Sequence, residues 1–206
     1  MKVFSKPIQL ILPKKSLLSP EYPAAVVAGN VEISQQIVDT LLGALGIQAA
    51  SQGTMNNISF GNDQYQYYET VCGGSGAGPL FHGTSAVHTH MTNSRMTDPE
   101  IFESRYPVRL NTFKVRQGSG GAGKYKGGDG IERSFTFLEA MNLSILSTRR
   151  LVAPFGLSGG KDAKAGENSI IRANGGIEKV AGVQSLEVDP QDIFIMKTPG
   201  GGGYGV

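Results

Sequence analysis

Between residues 30 and 45 apolar side chains recur every three or four positions, at Ile33, Ile37, Leu41 and Leu45, joined by Val38 and Leu42. This spacing predicts an amphipathic helix near the amino terminus, with Asn30 as its N-cap and Gly46 beyond its end. Ahead of it, residues 3–12 read as an extended segment interrupted by Pro7, and Pro13, Pro20 and Pro23 keep residues 13–23 out of helix. Residues 51–57 (SQGTMNN) are polar and turn-rich, residues 64–71 (QYQYYETV) favour β structure, and a glycine-rich turn is expected at 73–78. A strand is expected around His88. The tract TDPEIFESRYP carries a second helix signature, with Thr97 and Glu100 as a capping box, Pro99 in the first turn and Pro107 ending it.

From there VRLNTFKV, IERSFTF, NLSILST, SIIRA and DIFIMK alternate polar and apolar positions, separated by glycine clusters. The pattern predicts an α+β chain with Gly-rich turns and a mostly antiparallel β second half, as a meander or partly closed barrel. It forms one unit over 1–206, with a sub-boundary suggested near residue 107.

Composition narrows the function classes. Charged residues make up 17% of the chain against about 25% in ordinary soluble domains, which leaves surface for burial against a partner and points to an oligomer. The net charge of +2, without a basic run, gives no footprint for nucleic acid or anionic lipid. A single cysteine, Cys72, excludes an intrachain disulfide and a cysteine-based zinc site, and suits a reducing compartment. Lys14 and Lys15 break the early apolar stretch, so no secretory leader is expected. No apolar run approaches the roughly 20 residues of a membrane span. The expectation is a soluble cytoplasmic protein. Glycine is the main anomaly, at 29 of 206 residues.

The tract GSGGAGKY (residues 118–125) matches both a phosphate loop and a dinucleotide fingerprint, yet Tyr125 stands where magnesium needs Ser or Thr, and KGGDG cannot start a helix. Two readings remain, a tight turn between strands and an anion-binding backbone nest. GGSGAG fails as a nucleophile elbow because Ala77 replaces its last glycine. His82, His88 and His90 fall within nine positions. On a strand the H-x-H spacing puts His88 and His90 on one face, near Asp98, Glu100 and Glu103, as a metal pair, a general base, or buried structural imidazoles. Cys72 is either a nucleophile at a turn or a small buried hydrophobe. Arg149 and Arg150 either receive a carboxylate or phosphate or are a solvated strand end.

The succession PAAVVAGNVEISQQIVDTLLGAL, ASQGTMNN, YETVCGGSGA, VHTHMTNSRMTDPEIFESRYPVRL and GSGGAGKYKGGDGIER, with APFGLSGGKDA and KTPGGGGYG near the end, resembles the B-type subunit of the hydantoinase/oxoprolinase family, in its carboxy-terminal part. The resemblance implies a multi-subunit hydrolase that opens a cyclic amide such as a hydantoin or 5-oxoproline. ATP and Mg are then expected on an A-type partner subunit, and any divalent metal with the amino-terminal half of the B-type subunit; none is assigned in this chain. Glu69, His88, His90 and Asn93 are the site residues in the matching blocks. His88 or His90 would be the base, and the 73–78 turn would supply oxyanion donors. Two alternatives stay open: a subunit of an ATP-dependent acetone- or acetophenone-type carboxylase, and a non-catalytic assembly module from a truncated or split gene. Under any of them the isolated chain is expected to be inactive.

Overall fold

The computed structural model describes residues 11–24 and 29–206. Most of the predicted extended segment at 3–12 therefore lies outside the described residues. Residues 11–24 are turns joined by a bridge between Ser16 and Ser19 and by an exposed Lys15–Glu21 ion pair at 3.4 Å. A separate compact unit runs from Val31 to Val206. Among the described residues no helix is long and apolar enough to cross a membrane.

Helix α1 spans Gly29–Ala44, so it starts one residue before the expected cap, and Gly46 (φ 69°) follows its end as expected. Its orientation reverses the amphipathic expectation. Glu32, Gln35 and Asp39 are buried, whereas Ile37, Leu41 and Leu45 are exposed. The cause lies in what the helix covers. Irregular loops beneath it carry backbone N–H groups without sheet partners, and a buried N–H needs an acceptor. Glu32 and Asp39 supply those acceptors to Ser51, Met55 and Thr148.

Two antiparallel sheets hold the apolar core. The first orders β2 (Gln66–Thr70), β1 (Asn57–Gly61), β5 (Met141–Leu146) and β8 (Val183–Val188). The second orders β3 (Val108–Val115), β4 (Ile131–Phe137), β9 (Ile193–Lys197), β6 (Glu167–Ile171) and β7 (Ile177–Val180). The antiparallel second half follows the predicted alternation: β5 and β9 bury every other residue, as strands with one core face do. The first sheet draws strands from both sides of residue 107. The sheets meet through Phe60 of β1, whose ring lies 5.6 Å from Phe135 and 5.5 Å from Phe137 of β4. Such ring pairs add about 0.5–1.5 kcal/mol each beyond area burial.

Helix α2 (Pro99–Arg105) forms at the predicted place, but its cap is Asp98, whose carboxylate accepts from the Glu100 N–H at 2.9 Å. Thr97 is engaged elsewhere, its hydroxyl donating to the Tyr67 hydroxyl oxygen at 2.9 Å, since the Tyr67 proton goes to Glu69. The strand expected around His88 is absent; only a bridge from Val87 to Gly73 forms there.

The glycine clusters are largely not turns. Successive N–H groups from Gly200 to Gly205 donate in order to the carbonyls of Lys164, Gly128, Ala50, Lys161, Tyr125 and Leu157. Two of these segments recur every third residue, Lys164 then Lys161 and Gly128 then Tyr125, as expected when an extended chain turns once per three residues among its neighbours. The neighbouring backbones touch. A Cβ on Gly201 would overlap the Ser75 carbonyl, and one on Gly127 the Gly201 carbonyl. Glycine is needed here for close approach, while turn geometry remains at Gly118 (φ 71°) and Gly175 (φ 86°).

Candidate functional site

The buried face of α1 organises three loops. Glu32 accepts from the Met55 N–H, the Asn57 amide, and the N–H and hydroxyl of Thr148, at 2.8–3.0 Å. Gln35 donates to the Thr89 carbonyl and the Thr92 hydroxyl, both at 3.0 Å. Asp39, 1% exposed, accepts the Ser51 N–H at 2.9 Å on Oδ1. The same oxygen lies 2.7 Å from His90 Nε2. A carboxylate only accepts, so Nε2 carries the proton and the neutral ring keeps its lone pair on Nδ1. Asp39 thus fixes both the orientation and the tautomer of His90, the arrangement that suits a histidine to take a proton.

Backbone strain gathers at the same place. Of the seven described non-glycine residues with left-handed backbone, His90 (φ 54°) and Arg149 (φ 58°) both face Asp39, a conformation that costs of order 1–3 kcal/mol each and tends to mark functional sites. Gly53 (φ 63°) lies between Arg149 and Asp39: a Cβ there would stand 2.6 Å from Arg149 Nε and 3.0 Å from Asp39 Oδ2.

The other sequence-predicted residues lie apart from this dyad. His88 does not share a strand face with His90, because the H-x-H tract is a loop with His90 in a left-handed turn. Both His88 ring nitrogens are buried without a hydrogen-bond partner among the described residues, and burial lowers its pKa. Glu69 points between the sheets, where Oε2 accepts the Tyr67 hydroxyl at 2.8 Å and Oε1 lies 2.9 Å from Arg133 Nε. That contact is an ion pair without hydrogen-bond alignment. Burial raises the Glu69 pKa, opposed by Arg133 and by the Tyr67 bond. Asn93 is exposed on the link before α2.

Burial also pushes the Cys72 thiol up to about 11, so it stays a protonated thiol at neutral pH. His82 accepts the Lys126 N–H at 2.9 Å. Sequence reasoning missed Asp39 as a site residue. The signal was present, since Glu32, Gln35 and Asp39 are spaced three and four apart and so share one helix face.

Two donor sets expected from the sequence are already engaged. Every N–H from Gly73 to Gly78 bonds within the fold, to Val87, Pro199, Thr84, Ser51, Gly202 and Phe81, which leaves the turn without a free oxyanion donor. In the phosphate-loop lookalike, Gly118 and Gly120 N–H donate to the Asp129 carboxylate at 3.2 and 2.7 Å. The chain's own anion fills the nest, so these residues do not fit a nucleotide phosphate. Among the described residues no three His, Cys, Asp or Glu side chains converge to hold an ion.

Comparison with known proteins adds an independent line. A model of the hydantoinase B/oxoprolinase family matches residues 3–206. The chain is 49% identical to a 5-oxoprolinase of Dictyostelium discoideum and 49% identical to 5-oxoprolinase 1 of Arabidopsis thaliana, over 97% of its own length in each case. It spans only 16% of the length of either relative. In fold it is similar to the ATP-dependent caprolactamase from Pseudomonas jessenii, with a TM-score of 0.70 and 20% identity, covering 91% of this chain and 36% of that one.

Proposed function

Because the chain belongs to the hydantoinase B/oxoprolinase family, we propose that it is part of the B-type component of an ATP-dependent enzyme that opens a cyclic amide such as 5-oxoproline. The A-type component is its partner and holds the nucleotide, in keeping with the self-filled 118–125 nest of this chain. ATP on the A-type component would activate the amide oxygen by phosphorylation. Water attacks the activated carbon, a C–O bond forms, the ring C–N bond breaks as the nitrogen gains a proton, and a second water releases the phosphoryl group as phosphate. His90 takes the proton of the attacking water on Nδ1, and Asp39 stabilises the imidazolium that results. Glu69, on this reading, is a structural ion-pair partner of Arg133.

The 2.7 Å His90–Asp39 contact carries this reading. It is tested by assembling the chain with the rest of the B-type component and the A-type component and measuring ATP-linked ring opening. His90→Gln is expected to lower kcat by about 10²- to 10⁴-fold, with Asp39→Asn lowering it as well, while the complex still assembles. Full ring opening by the His90→Gln enzyme would remove His90 as the base.

A further inference from the structure

We propose that the cleft beside Arg149 binds a small carboxylate, and that in the enzyme proposed above Arg149 grips the carboxylate carried by the substrate ring. Arg149 offers five N–H donors in a planar fork, and none of them donates a hydrogen bond among the described residues. Its Nε is buried and unpartnered, and the side chain is only 14% exposed. The one facing carboxylate is Asp39, whose Oδ2 lies 3.9 Å from Nη2, beyond hydrogen-bond length. Asp39 balances the Arg149 charge from that distance, but the buried Nε–H has no acceptor, and a buried donor without one is unfavourable. Arg150 next to it shows the usual outcome, donating to the Thr148 carbonyl and twice to Asn168 Oδ1.

The cleft, of about 490 Å³, is lined by Gln36, Thr148, Arg149, Arg150, Val152 and Val183 among others, and no Asp or Glu lines it. Arg150, Gln36 and Thr148 are bonded to Asn168, to each other and to Glu32. The donors left free in the cleft are therefore those of Arg149, beside the apolar side chains of Val152 and Val183, which suits an anion attached to a small hydrocarbon ring. A carboxylate matches the guanidinium fork with two parallel N–H···O bonds, and Val152 and Val183 are placed for the ring methylenes. Asp39 links this cleft to the dyad, since one of its oxygens holds His90 and the other faces Arg149. 5-Oxoproline carries such a carboxylate beside its ring nitrogen, whereas 2-pyrrolidinone is the same ring without it.

The test is a nitrogen-15 NMR titration of the whole 206-residue chain with 5-oxoproline, 2-pyrrolidinone, acetate and inorganic phosphate, reading the Arg149 Nε–H and the amides of Thr148 and Val183. 5-Oxoproline and acetate are expected to move these signals and 2-pyrrolidinone to leave them in place. Arg149→Gln should abolish the response. Arg149→Lys keeps a cation facing Asp39 but loses the fork, and it should weaken binding about 10-fold or more. The proposal fails if 5-oxoproline moves nothing, if 2-pyrrolidinone moves the same signals equally, if phosphate acts where carboxylates do not, or if the Lys variant binds as well as the parent. In the assembled enzyme, Arg149→Lys should lower kcat/KM for 5-oxoproline far more than for 2-pyrrolidinone. An equal loss on both rings overturns the Arg149 assignment and leaves ring opening standing. A parent enzyme that opens neither ring overturns the function instead, and the titration still decides the carboxylate site.

Discussion

Two histidines separated by one residue illustrate how far local chemistry depends on neighbours. His90 meets a buried carboxylate, and His88 meets nothing it can bond among the described residues. Burial holds the native pKa of His88 below its ordinary value near 6.5. A lowered native pKa means that the unfolded chain binds the proton more readily, so the stability contributed by neutral His88 is present above that value and is lost as pH falls. The melting temperature of the chain is therefore expected to drop between about pH 7 and pH 5, and His88→Gln should flatten that part of the curve. Glu69, whose pKa burial raises, acts with the opposite sign, and taking the difference between parent and variant removes it. Parallel curves for the two proteins would show that His88 is not held neutral by the fold. Neither histidine's environment could be read from H-x-H spacing, because that argument assumed a strand and the chain instead turns left-handed at His90.

At the level of elements, α1 combines a legible pattern with a reversed placement. Its position follows from helical spacing, and its length agrees with the prediction to within a residue or two. Which face is buried does not follow, because the helix covers unpaired loop backbone that needs acceptors more than it needs apolar contact. Exchanging its exposed leucines for polar residues should accordingly matter little in the isolated chain: Leu41→Gln with Leu45→Gln is expected to change stability by about 0.5 kcal/mol or less at each site. Glu32→Ala leaves the Met55, Asn57 and Thr148 donors without their acceptor. At about 1–3 kcal/mol for each unsatisfied buried group, it should cost several-fold more than both leucine changes together. Urea denaturation of the three proteins measures this, and a larger loss from the leucine pair would show that the polar face does not hold the helix down.

On the scale of the whole molecule, the two sheets supply an ordinary aromatic and aliphatic core, and the glycine segments supply a second packing centre made of backbone. Gly201 sits where Gly128, Ser75 and Gly121 converge. A methyl group there meets main chain that cannot rotate away, so Gly201→Ala is expected to cost more than about 4 kcal/mol, seen as a melting temperature lowered well beyond what a surface Gly→Ala change produces. By contrast Gly118→Ala, where nothing lies within 4 Å of the added carbon, meets only the penalty of its φ of 71°. Equal effects at the two positions would mean that close approach is not what glycine provides at 201.

The order of amino acids alone dictates where α1, α2 and the alternating strands of the second half form, because side-chain periodicity and proline placement act within a few residues of the chain. Together with the order of the matching blocks it also pointed to the family, and to His90 as a residue worth watching. Packing in three dimensions makes the glycine clusters into extended backbone in close contact, since a glycine needed for a turn and one needed for contact look alike in one dimension. The same packing makes Asp39, Gly53, His90 and Arg149 neighbours and keeps Glu69 and Asn93 out of that group. These residues are joined by contacts between distant stretches of chain, Asp39 with His90 and with Arg149 above all, and no local pattern records such a meeting.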